Sequence, residues 1–177
     1  MARIPYYDLS QASPIVAEAM KDRRPLNIYR AIAHGEQTAV SFLALGRSIL
    51  TTSEIDAKLR ELVVLRVSAL SGSAYEVIQH RKLAAKAGVS AEKIEAVLAE
   101  PAEAVKADLF DDLEQAVLRF TDSVVRDVKA PEAVFKGVAE RISNRQLVEL
   151  LMTIGFYMLA GRISENLEID IENDVPA

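Results

Sequence analysis

Apolar residues along this chain recur at helical spacing and nowhere alternate with period two, so the pattern predicts helices and no strands. Pro5 and Pro14 interrupt the first residues, and Pro14 suits the first turn of a short helix reaching about Met20. Lys21-Asp22-Arg23-Arg24-Pro25 reads as a charged turn. Helices follow over Leu26–His34 and Thr38–Leu50, with Gly35 breaking or bending the chain between them. Ser53 is the expected N-cap of a helix running to Leu70. A further helix opens after Ser73 and runs toward Gly88, and Ser90 caps Ala91–Ala99, which Pro101 closes. Leu109, Leu113, Ala116, Val117, Phe120 and Val124 mark an amphipathic helix. Pro131 opens another, to about Ile142. Ser143 and Gln146 form a capping-box pattern that starts a long helix toward Leu167. In its first half Leu147, Val148, Leu150, Leu151, Ile154, Phe156 and Met158 leave almost no polar side. Such a helix is central or lies at a subunit interface.

The 177 residues suffice for one domain with its own core. The expected division is an N-terminal arm and short helix over 1–25, a helical domain over 26–167 and an acidic tail over 168–177 that drapes over the surface or a neighbouring subunit. Half the residues are hydrophobic and 27% are charged, ordinary values for a soluble globular protein. A net charge of -5 and a pI near 5.2 argue against nucleic acid or an anionic membrane as partner. The chain has no cysteine. Disulfides and thiolate metal sites are therefore excluded, which fits a cytoplasmic location. No signal peptide is expected, because Met1-Ala2-Arg3-Ile4-Pro5 leads into no long apolar run. The apolar stretch Leu147–Ala160 contains Glu149 and is too short to span a bilayer.

The chemistry concentrates between Glu61 and Gly88, ELVVLRVSALSGSAYEVIQHRKLAAKAG. Two helices meet at Ser71-Gly72-Ser73, where Gly72 permits the backbone angles that end a helix. Ser73 and Glu76 make a capping-box pattern. Glu76 and His80, four apart, share a helix face with apolar Leu83, Ala84 and Ala87, which turns that face inward. His80, able to pass a proton near neutrality, is the leading candidate for catalysis; by position alone it could be a core histidine. Glu76 serves either as a cap or as a functional carboxyl. Glu61 is either solvated or the carboxylate that orients His80. Tyr75 could donate to a substrate oxygen or simply pack. Arg66 is the natural clamp for a substrate carboxylate, yet five residues from Glu61 turn it well over a right angle away. Arg30, Arg47, Arg81 and Arg162 are its rivals. His34, before Gly35, suits a surface or helix-end role. A metal held by Glu61, Glu76 and His80 is a minor alternative, since one histidine and no HExxH pattern support it poorly.

Glu61, then Ser73-Ala74-Tyr75-Glu76, then His80, with Gly88-Val89-Ser90 after it, resembles the carboxymuconolactone decarboxylase family. The similarity runs more weakly from about Leu26 to Leu167. The resemblance implies an all-α, alkylhydroperoxidase-D-like bundle of seven or eight helices built around an antiparallel pair. Relatives with peroxidase activity carry Cys-x-x-Cys in this junction; Ser73 and Glu76 stand in those places here, so thiol peroxidase chemistry is excluded. The resemblance implies a decarboxylase of aromatic catabolism acting on a small unsaturated lactone acid without organic cofactor or metal. His80 would then be the proton donor, with Glu61 and Glu76 as its partners. It also implies a homo-oligomer, a trimer or a hexamer. The alternative is a non-catalytic oligomeric or small-molecule-binding protein that keeps the fold.

Overall fold

A computed structural model describes residues 1–99 and 107–172. Among them nine α-helices and no strand are found, an all-α fold as expected. The helices are α1 (Pro14–Met20), α2 (Asn27–Ile32), α3 (Gln37–Thr51), α4 (Ala57–Leu70), α5 (Ala74–Ala87), α6 (Ala91–Leu98), α7 (Asp112–Asp127), α8 (Glu132–Ala139) and α9 (Asn144–Asn166). Short 3-10 turns at Leu9–Gln11, Ala33–Gly35 and Ala107–Leu109 link them. Pro101, expected to close α6, lies outside the described residues.

The centre of the molecule is α4, packed against α5, α6, α7 and α9. Eight consecutive residues, Glu61 to Ser68, are buried on it. A helix surrounded on every side must bury its polar groups too, and each then needs a partner. Ser68 donates to the Val64 carbonyl at 2.7 Å. Arg66 and Glu61 find theirs on other helices, described below. The apolar residues of α4 serve two clusters: Val63, Val64 and Val67 join Ile154, Phe156 and Phe120, whereas Leu62 and Leu65 join Val97 and Phe110.

Capping follows the sequence at some helix starts and departs from it at others. Ser143 and Gln146 form a reciprocal capping box on α9, and Ser90 caps α6. Asp111 and Glu114 form a second box on α7. The cap of α4 is Asp56, which accepts from the Lys58 and Leu59 amides; Ser53 instead donates to Glu149 at 2.9 Å. Ser73 does not use its side chain as a cap for α5. Its hydroxyl lies 2.9 Å from that of Ser164, while Glu165 accepts from the Ala74 amide. The neighbouring helix thus does what the Ser73–Glu76 box was expected to do. Gly161 makes this possible, since a Cβ there would sit 3.2 Å from that of Ser73.

Gly72 adopts a φ of +67° at the α4–α5 turn, as its position demanded. At 23 residues α9 is longer than its apolar run and is long and apolar enough, by length and composition, to cross a membrane. Its Leu150, Ile154, Phe156 and Tyr157 are buried in the protein core, and Glu149 pairs with Arg145. These are the contacts of a core helix. The opposite side, with Val148, Leu151, Met152 and Leu159, is exposed.

The N-terminal arm and the tail are tied together. Arg3 donates its amide to the Leu167 carbonyl, Tyr6 donates to Asp170 at 3.0 Å, and Ile169 is buried.

Candidate functional site

The antiparallel pair α4–α5 brings Glu61 and His80 together in the interior. His80 is 5% exposed and Glu61 2%. Nδ1 of His80 lies 2.7 Å from Oε2 of Glu61. A carboxylate can only accept, so Nδ1–H donates and the imidazole is held in one tautomer with Nε2 left for other work. The other oxygen of Glu61 is 3.5 Å from Nε of Arg60, an ion pair that offsets its charge. The Tyr157 ring meets the imidazole edge to face, with centroids 4.8 Å apart, and fixes its plane.

On the far edge of the ring, Nε2 is 3.6 Å from Oε2 of Glu76. Because the turn is capped from α9, Glu76 is released from capping and points into the protein. It is 5% exposed. Burial pushes its carboxyl above the usual range; His80 works against that, and the charge of Glu172 adds to it. Glu61 and Glu76 therefore flank opposite edges of one imidazole. They do not converge on a point, and among the described residues no three metal-ligating side chains do.

Glu76, His80 and Tyr157 form part of the wall of a cavity of about 640 Å³. Its other walls come from α2, α3 and the turn before them: Tyr29, Phe42, Leu43 and Leu50 supply apolar surface. Arg23, Arg24, Arg47, Lys82 and Lys86 bring positive charge to it. An apolar chamber with cationic side chains around it and one acid–imidazole pair in its wall suits a small organic acid.

The expected site residues sort as follows. Glu61, Glu76 and His80 come together as described. Leu83 does line the cavity but is 40% exposed, whereas Ala84 is fully buried. Tyr75 is buried, lines the same cavity, and donates to Glu172 at 2.6 Å. Desolvation first, then that bond, holds its phenol proton firmly.

Arg66 is not at the site, and its reading as a substrate clamp is corrected. It points the other way from α4, is fully buried, and grips Asp122 in a bidentate pair at 2.6 and 2.8 Å. It also donates to the Val97 and Ala99 carbonyls at the end of α6. The angular offset from Glu61 already implied this.

Of its rivals only Arg47 reaches the cavity. Arg30 stacks over Tyr6, Arg81 pairs with Glu95, and Arg162 donates to the Met158 carbonyl. His34 bonds the Pro5 carbonyl at the surface. Arg23, Arg24 and the tail residue Glu172 were missed. Arg23-Arg24 stood out only as a charged turn, and nothing local marks Glu172.

Residues 37–122 match the Carboxymuconolactone decarboxylase family. No curated protein sequence matches the chain. Among solved structures, an uncharacterized peroxidase-related protein with an alkylhydroperoxidase AhpD core from Ralstonia eutropha is 18% identical. It superposes with a TM-score of 0.81 over 97% of this chain and 93% of its own. An uncharacterized peroxidase-related protein from Silicibacter sp. is 16% identical, with a TM-score of 0.76 over 97% and 94%. The debrominase Bmp8, as a variant in complex with 2,3,4-tribromopyrrole, is 18% identical, with a TM-score of 0.80 over 97% and 94%. At these identities the likeness is one of fold. The matched segment, just under half of the chain, contains Glu61, Ser73, Glu76 and His80, and over it the chain is similar to the carboxymuconolactone decarboxylase family, on an alkylhydroperoxidase-D-like fold.

Proposed function

We propose that this protein is an enzyme that moves a proton on a small unsaturated lactone or carboxylic acid, in the decarboxylating manner of the carboxymuconolactone decarboxylase family it resembles. The observation that carries the reading is the Glu61–His80–Glu76 array opening on the apolar cavity. In such a reaction the bond from carbon to the carboxylate breaks and carbon dioxide leaves. The electron pair passes into the conjugated lactone, and carbon takes up one proton; no electrons are gained or lost overall. Glu76 and His80 hold the proton to be delivered, with Glu61 fixing the imidazole and stabilising its charge. The dry wall strengthens these interactions. Bmp8 binds a brominated five-membered ring, and the present cavity of about 640 Å³ has the volume for a ring of that size.

The test is carbon dioxide release from a panel of unsaturated lactone acids. Turnover that falls at least a hundredfold in His80→Gln is the expected result. Equal turnover by the variant would dismiss the site, and binding without any turnover would favour the non-catalytic alternative. With no thiol in the chain, hydroperoxide reduction by a thiol reductant should stay at the buffer rate.

A further inference from the structure

At the edge of the cavity the protein binds one of its own carboxylates. Oε1 of Glu172 accepts from the Tyr75 hydroxyl at 2.6 Å and from the Asn27 amide at 2.5 Å. Oε2 accepts from Nε2 of Gln79 at 2.5 Å. Three donors from α5 and the start of α2 thus converge on both oxygens of one carboxylate. Charge-assisted bonds of this kind are the strong ones, and none of these donors is itself charged. Tyr75 and Gln79 also line the cavity, beside Glu76. The Tyr75 oxygen lies 3.5 Å from the Ile28 amide, which directs its own proton outward to the carboxylate.

Glu172 is attached differently from the residues before it. Ile169 is buried and Asp170 is bonded to Ala2 and Tyr6, so this part of the tail is held without Glu172. Its charge reaches Glu76, where it favours the protonated carboxyl. A substrate carboxylate in the same place would do likewise, next to the proton it needs.

We infer that the Tyr75, Gln79 and Asn27 donors form a carboxylate-binding subsite that Glu172 fills in the free protein and that the carboxylate of an organic acid ligand takes in exchange. This deepens the reading of the cavity as an organic-acid site and rests on it. The subsite selects a monoanionic carboxylate attached to a small apolar body that enters the chamber. While Glu172 occupies it, the apparent affinity is lowered by the fraction of open subsites.

Benzoate and its neutral counterpart benzamide test this by titration calorimetry near neutral pH. Glu172→Ala, and separately a chain ending at Ile171, should bind benzoate on the order of tenfold more tightly than the full chain, with benzamide unchanged. Adding Tyr75→Phe to Glu172→Ala should remove most of the gain. Glu172→Gln, which keeps size and shape, serves if the alanine variant does not fold. Unchanged or weaker benzoate binding, an equal gain for benzamide, or no benzoate binding by any variant would overturn the inference. Binding is read without turnover, so the decarboxylation reading can fail in its own assay while the subsite stands, and the reverse.

Discussion

Glu76 faces His80 from within its own helix and Glu172 from the tail, and burial raises its pKa above that of a free carboxyl. In the unfolded chain it titrates near the ordinary value of about 4.3. The folded protein therefore holds a proton that the unfolded chain has lost, and stability falls as pH rises from that value through the higher folded one. The favourable contribution is complete only below the unfolded pKa. Glu76→Gln removes the dependence: its gain in Tm over the parent should be larger at pH 8 than at pH 4, by parallel melts. A gain independent of pH would mean the carboxyl is solvated. In the proposed chemistry the same variant loses the proton reservoir, so activity falls although stability rises.

Among the elements, α4 and α9 carry the architecture in different ways. On α4 the Arg66–Asp122 pair ties the central helix to α7 and, through two carbonyls, to α6. Removing one partner of a buried pair strands the other, at a cost of about 3–5 kcal/mol. Asp122→Ala should lower the urea midpoint accordingly, and a loss below about 1 kcal/mol would show that water reaches the guanidinium. The α4–α5 hairpin and its Gly72 turn were legible because local spacing determines them, whereas the Glu61–His80 contact stayed open because it depends on how the two helices pack. The role of Ser73 was not legible, because its hydroxyl is engaged by Ser164 and the Ala74 amide is capped by Glu165, each 91 residues away. Asp56 was passed over for Ser53 because both are good caps and only the packing of Ser53 against Glu149 separates them. Glu172 lies 97 residues from Tyr75, and no local pattern could have announced their contact.

For the whole molecule, the uncovered side of α9 matters most. Val148, Leu151, Met152 and Leu159 are 41–55% exposed along one stripe. Full burial of such a side chain is worth roughly 1.5–3 kcal/mol and about half of that remains to be gained here, and we propose that a second copy of the chain covers the stripe in a trimer or hexamer. Light scattering after size exclusion should give a multiple of 19.4 kDa, and Leu151→Glu with Leu159→Glu should shift it to the single-chain mass. A single-chain mass for the parent at micromolar concentration would remove the interface. The cavity has a different relation to the packing. Val16, Met20, Ala33 and Leu43 form a small apolar cluster of their own, and Tyr29, Ile32 and Phe42 bridge it to the main one. The chamber lies along this seam: Leu43 comes from the smaller cluster, Tyr29 and Phe42 from both, and Ile28, Phe156, Tyr157 and Ala160 from the main one, against which His80 packs. Leu50, partly exposed and in neither cluster, can be exchanged for a larger or smaller residue without touching the framework that aligns His80. In evolutionary terms, position 50 is where the shape of the chamber can drift while the imidazole stays aligned.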